Sequence, residues 1–173
     1  SVFINGSYGN KVYNYLSMKL THMNSPWTNQ LNAVNGRAQL VPINPNKVYE
    51  DGTMWYNDVS NVMVANPGAS IPRATINDPN DNDRISDRYI EDGSYIRLKN
   101  ISLGYTFPKK TIDKLGLSNL RIYANIQNLL TITGYDGYDP EIGASTSSVN
   151  VYGLDNGRYP SPTVYSFGLN VSF

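Results

Sequence analysis

Between Gly134 and Pro162 lie Tyr135, Asp136, Tyr138, Asp139, Glu141, Tyr152, Asp155, Arg158 and Tyr159, flat rings interleaved with carboxylates and a guanidinium. Rings of this kind stack on sugar or peptide faces, while carboxylates and Arg fix the orientation of a polar oligomer. Tyr135, Asp136, Tyr138, Asp139, Glu141, Tyr152 and Tyr159 are therefore the candidate ligand-contacting residues. The same tyrosines also suit the rim of a membrane interface, where the ring sits among headgroups and the hydroxyl faces water. Catalysis is not indicated. Glycoside cleavage needs two carboxyl groups facing each other across a sugar, whereas Asp139 and Glu141 flank Pro140 in one loop with no partner fixed opposite. His22, the single histidine, has no nucleophile or metal partner at a useful spacing. No catalytic residue is expected.

A second polar stretch gathers Asp78, Asp81, Asp83, Asp87, Glu91 and Asp92, with Arg84 and Arg88 among them. DPNDND resembles the start of a calcium loop but lacks its central glycine and terminal glutamate, so a loop of Asx turns with surface ion pairs is expected, and no metal. No cofactor is expected either. Fourteen basic residues balance fourteen acidic ones without a basic block, which argues against nucleic acid and against steering by anionic lipid. Cysteine is absent, excluding disulfides and thiolate chemistry. No apolar run reaches the roughly 18 to 20 residues of a membrane helix.

The elements that must position these loops alternate in polarity. In TVYSFGLNVSF, Tyr165, Phe167, Leu169, Val171 and Phe173 share one parity and small polar residues the other. Such a strand, tilted by about 40°, rises about 28 Å, close to the ~25 Å apolar band of an outer-membrane barrel. LRIYANIQNLLTI places Leu120, Ile122, Ala124, Ile126, Leu130 and Ile132 on one face, with one polar intruder, Asn128. ISLGYTF places Ile101, Leu103, Tyr105 and Phe107 opposite Ser102, Gly104 and Thr106 before Pro108 ends the run. A further strand at the start carries Val2, Ile4 and Tyr8 on one parity. The expected lipid-facing set is Ile101, Leu103, Tyr105, Phe107, Leu120, Ile122, Ile126, Tyr165, Phe167, Leu169, Val171 and Phe173.

The connections run long, short, long, matching barrels with short periplasmic turns and long external loops. Residues 10–88 and 133–162 are the expected extracellular loops. In the first, Val12, Tyr15, Leu16, Leu20 and Met23 fall at helical spacing, and Ser25–Pro26 reads as the start of a second short helix carrying Trp27, Leu31 and Val34. From Val41 to Asp92 the density of Pro, Asn, Asp and Gly discourages regular ladders.

IPRATINDPNDNDRISDRYIEDGSYIRLKNISLGYTFP, then LRIYANIQNLLTITGYDGYDPEIG, then YGLDNGRYPSPTVYSFGLNVSF resemble, in order, the C-terminal portion of SusC/RagA-family TonB-dependent outer-membrane transporters, and FINGSYGNKVYNY is compatible with an upstream family strand. The resemblance implies an all-β fold in which residues 1–173 supply about four antiparallel strands from the C-terminal end of a barrel of about 22. It implies a plug and most strands outside these residues, the remainder of the same barrel as a partner, a SusD-like surface lipoprotein, TonB acting through the N-terminal part, and surrounding outer-membrane lipid. The implied location is the outer membrane of a Bacteroidetes-type Gram-negative bacterium, and the implied activity is import of nutrient oligomers, glycan or peptide. Alternation alone also describes a secreted or surface β-sandwich that binds glycan.

Overall fold

A computed structural model of the chain describes residues 1–22, 27–142 and 152–173. The strands are, in chain order, β1 (Val2–Ser7), β2 (Lys11–Asn14), β3 (Leu40–Pro42), β4 (Val62–Val64), β5 (Ile90–Asp92), β6 (Tyr95–Thr106), β7 (Asn119–Thr133), β8 (Leu154–Asp155) and β9 (Val164–Ser172); the helices are α1 (Tyr15–Thr21) and α2 (Lys109–Ile112). The chain divides into two compact units, Ser1–Asn14 with Ile90–Phe173, and Tyr15–Tyr89.

In the first unit β1, β6, β7 and β9 form one antiparallel sheet in that order. The registers align the alternating side chains into rows: Tyr105, Ile122 and Leu169; Leu103, Ala124 and Phe167; Ile101, Ile126 and Tyr165. One face is thus apolar, and it stays open, with Leu103 75 %, Phe167 83 % and Phe173 93 % exposed. The buried positions of the same unit include Asn14, Arg97, Asp139 and Asp155 beside Val12, Ile112 and Tyr135. Greasy outside and polar inside inverts the ordinary distribution in a water-soluble domain.

The apolar parity breaks where the backbone does. Ile96 and Leu98 lie at even positions and Ile101 and Leu103 at odd ones, and the ladder register shifts between Leu98 and Asn100. This bulge absorbs one residue, so β6 begins at Tyr95 and not at Ile101. Asn128, the polar intruder on β7, stands at the same irregularity with φ 52°; its Nδ2 donates to Pro162 O at 3.1 Å, and its carbonyl accepts from Thr163 Oγ1 at 2.9 Å. It ties β7 to the segment entering β9. Tyr8, expected on the first strand, lies past its end and is 96 % exposed.

On the polar face Gly104 and Gly168 admit large neighbours, Arg121 and Tyr123. Gly168 sits opposite Tyr123, and a Cβ there would come within 2.1 Å of the ring. Gly168→Val should therefore be coupled to Tyr123→Ser by about 1 kcal/mol, the serine relieving the valine's crowding. Chemical unfolding of the full-length single and double variants measures this, and additive losses would show that the ring swings aside freely.

The connection between β6 and β7 is filled by α2 and a 3-10 turn, Asp113–Leu115, closed by Gly116 at φ 69°. Ile112, 2 % exposed, is the apolar residue that anchors it. A second, three-stranded sheet pairs β2 antiparallel with β5 and parallel with β8. Val12 belongs to β2 and is buried, so it is not part of the expected helix.

In the second unit α1 carries Tyr15, Leu16 and Leu20 of the expected helix. Met23 lies outside the described residues, as does the Ser25–Pro26 start of the expected second helix. Val34 instead becomes the buried residue of a 3-10 turn, Asn32–Gly36, with Leu31 just before it, and Trp27 is 92 % exposed. The stretch expected to lack ladders does form a short antiparallel pair, β3 with β4, and its last three residues are β5, paired with β2. Three residues a strand suffice for the pair of β3 with β4 because Asn61 supports it: its carbonyl accepts from the Ile43 N–H, its Oδ1 from the Asn44 N–H, and its Nδ2 donates to Asn44 O.

Candidate functional site

The residues following β7 are held by a few strong bonds. Thr133 Oγ1 accepts from the Tyr135 N–H at 3.1 Å and donates to Ser94 O at 2.8 Å, turning the chain back over the sheet end. Tyr135 is buried, and its hydroxyl donates to Asp155 Oδ2 at 2.6 Å. The other Asp155 oxygen accepts from the Gly157 and Arg158 N–H groups at 2.8 and 3.3 Å. Burial, and then the Asp155 carboxylate, push the Tyr135 phenol well above its ordinary value, so it remains a donor throughout the working pH range. The Asp136 N–H donates to Glu91 Oε2 at 3.2 Å, and Glu91 Oε1 accepts from Asn14 Nδ2 at 2.8 Å.

A charged cluster centres on Arg97 of β6, whose side chain is 3 % exposed. Its Nε donates to Thr131 Oγ1 at 2.8 Å across the ladder, its Nη2 to Asp139 and its Nη1 to Glu141 Oε2 at 2.7 Å. Lys99 Nζ reaches the same Glu141 oxygen at 2.6 Å. Asp139 also accepts from the Glu141 N–H at 2.9 Å and the Ser161 N–H at 3.0 Å. Burial alone would raise the Asp139 carboxyl, but Arg97 and these two backbone donors win and hold it below the ordinary carboxylate value. One carboxylate thereby joins β6, the segment after β7 and the segment before β9.

The proposed ligand set thus divides. Tyr135 and Asp139 are buried and committed to internal bonds, and Glu141 is shared between Arg97 and Lys99. Asp136, Tyr138, Tyr152 and Tyr159 are exposed, Tyr138 at 63 %, Tyr152 at 76 % and Tyr159 at 84 %. Asp139 and Glu141 both turn toward one guanidinium, an arrangement that neutralises carboxylates and does not oppose two of them across a substrate.

In the other unit His22 Nε2 lies 3.0 Å from the Tyr89 hydroxyl, a packed and bonded position. Asp78, nearly buried, accepts from Asn82 Nδ2 at 2.8 Å and from the Asp83 N–H at 3.0 Å, an internal turn. The expected ion pairs of Arg84 and Arg88 do not form among the described residues. Arg84 donates to Asn80 O at 3.0 Å and Arg88 to Ser70 O at 2.8 Å, because backbone carbonyls left over by the turns lie closer than the carboxylates. Sequence reasoning misses Arg97, Lys99 and Thr131 as site residues; the signal for Arg97 and Lys99 is their cationic positions inside a strand, DGSYIRLKN, and Thr131 has none.

No family model matches the chain. It is 42 % identical over 113 residues to TonB-dependent receptor P3 of Formosa agariphila, covering 62 % of this chain and 11 % of that protein. It is 30 % identical over 181 residues to TonB-dependent receptor P26 of the same organism, covering 100 % of this chain and 15 % of that protein. It is 36 % identical over 93 residues to TonB-dependent receptor SusC of Bacteroides thetaiotaomicron, covering 53 % of this chain and 8 % of that protein. Among solved structures it is similar to the RagAB peptide transporter, with a TM-score of 0.66 at 19 % identity over 99 % of this chain and 15 % of that one. The chain therefore spans only 11 to 15 % of the length of the first of these relatives and of P26.

Proposed function

The chain is a SusC/RagA-like segment of a TonB-dependent transporter, and from that premise we propose that its four-stranded sheet is part of the wall of a large transmembrane β-barrel in the outer membrane. The barrel imports nutrient oligomers, glycan or peptide, beneath a SusD-like lipoprotein and with energy delivered by TonB through the rest of the protein. The observation that carries this reading is the open apolar face whose rows the registers align, from Leu103 and Ala124 to Phe167 and from Tyr105 and Ile122 to Leu169. Its other face carries Ser102, Asn125 and Ser166 in one row and Gly104, Tyr123 and Gly168 in the next, suited to a wet lumen. Among the described residues the sheet edges β1 and β9 have no further partner strand, and hydrocarbon does not tolerate the backbone groups this leaves open, which further strands of the same barrel would satisfy.

A soluble sandwich requires a second layer over the apolar face, and in this unit Phe167 and Leu169 are 83 % and 61 % exposed. Tyr138, Tyr152 and Tyr159, exposed beyond the strand ends, are assigned to ligand contact or the interfacial rim. The full-length protein should leave the membrane fraction only with detergent, and its unheated form should migrate differently on a gel from its boiled form. A protein soluble without detergent, with one mobility before and after boiling, would favour the sandwich.

A further inference from the structure

In the unit Tyr15–Tyr89, backbone bonds fix the segment that follows the Asn32–Gly36 turn. The Ala38 N–H donates to Ile71 O at 2.8 Å, the Ala65 N–H to Gln39 O at 2.8 Å, and Asn66 Nδ2 to Arg37 O at 2.9 Å. Arg37 and Arg73, next to these bonded positions, line one depression of about 370 Å³ together with Trp55 and Tyr56. The two rings stand edge to face, 5.7 Å apart at 80°. Among the described residues no carboxylate lines the depression. Arg37 Nη1 donates to Val34 O at 3.0 Å and has further N–H groups to give, and the half-buried Arg73 has no partner among the described residues. A guanidinium in that setting calls for an anion, and its fork matches a carboxylate.

A second depression of about 360 Å³ shares Tyr56 and Arg73 with the first and is lined further by Val59, Val62, Val64 and Pro72, with Asn80 and Asn82. A depression with two guanidinium groups thus abuts one with a run of apolar side chains, and Arg73 belongs to both. We infer that the two depressions bind the free C-terminus of a peptide, its carboxylate at Arg37 and Arg73 and its apolar terminal side chain along Val62, Val64 and Pro72. A peptide terminus carries a carboxylate and an apolar side chain on one carbon. An acidic sugar surrounds its carboxylate with hydroxyls, most of which would lose water against Val59, Val62, Val64 and Pro72, where Asn80 and Asn82 are the amide side chains of the lining. The inference rests on the importer reading and names a substrate class for it.

The test is titration of the detergent-purified full-length protein, first checked for heat-modifiable migration, with three probes: a leucine-terminated tetrapeptide, its C-terminally amidated twin, and trigalacturonate. The free acid should bind, amidation should weaken it about tenfold or more, and Arg73→Gln should erase the difference between the two peptides. Equal affinity for both peptides in the unsubstituted protein overturns the inference, and that comparison needs no variant to fold. So does trigalacturonate binding that depends on Arg73, which would point to an acidic glycan. A protein with normal heat-modifiable migration that binds no peptide overturns the inference alone, whereas loss of the migration shift itself overturns the importer reading.

Discussion

Leu169→Arg should lower the stability of the full-length protein in lipid vesicles by about 2 to 4 kcal/mol, the cost of a guanidinium on the lipid face near the bilayer midplane. Leu169 lies in the middle of β9, beside Ile122 and in one row with Tyr105, and its side chain is 61 % exposed in this chain. In water an exposed leucine replaced by arginine changes stability by a few tenths of a kcal/mol, so the size of the loss identifies the solvent. Ser166→Arg is the internal control. Ser166 is three positions away on the opposite parity, in the row of Asn125 and Ser102, where water would solvate the charge. Urea titration of both variants in the same vesicles measures the contrast. Similar small losses at both positions would mean that neither face meets hydrocarbon, and a larger loss at Ser166 would exchange the two faces.

The sheet was legible where its pleat is regular and illegible where it is not. Period-two alternation located β7 and β9 because each row needs its side chain on a fixed face, and a helix or an irregular loop has no reason to produce so long a run of that period. The same rule hid the first half of β6: the bulge between Leu98 and Asn100 moves the apolar residues from even to odd positions, so a parity count stops at Ile101. Asn128 read as a defect in the alternation and is the residue that makes the bend, its left-handed φ being one that asparagine tolerates better than the branched residues around it. β8 had no readable signal. Two residues become a strand only because the Tyr13 N–H finds Gly153 O at 2.7 Å, a bond between distant positions. Val12 was misplaced because one apolar residue near Tyr15 and Leu16 fits a helical period as well as a strand.

The loop chemistry was legible as residue types and not as roles. Composition places Tyr135, Asp139 and Glu141 with Tyr138 and Tyr159 in one functional-looking group, yet which of them face outward depends on Arg97, 42 positions before Asp139, and on Asp155, 20 beyond Tyr135. Those pairings follow from the antiparallel return of β7 along β6. Only after the ladder sets Arg97 opposite Thr131 does the guanidinium lie where the returning carboxylate can meet it.

Arg97→Met should destabilise the segment 134–142 by about 3 to 5 kcal/mol, because it strands a buried carboxylate and does not simply subtract one ion pair. Asp139 has 8 % of its side chain exposed, and without Arg97 only the Glu141 and Ser161 N–H groups would remain to it. Adding Asp139→Asn to Arg97→Met should recover part of the loss, since the amide brings no charge to bury, and this separates charge stranding from lost packing. The pH dependence gives an independent sign. Because the Asp139 carboxyl is held below its unfolded value near ~3.9, its contribution is fully present above that value and is lost as pH falls through the lowered one. Removing Arg97 leaves burial less opposed, so the acid-induced loosening of 134–142 should be absent from Arg97→Met. Hydrogen exchange of these amides in the full-length protein, compared at neutral and acidic pH, reads both effects. Equal protection in Arg97→Met and the unsubstituted protein at neutral pH would show that backbone bonds alone hold the segment, and that the cluster around Arg97 has no structural role.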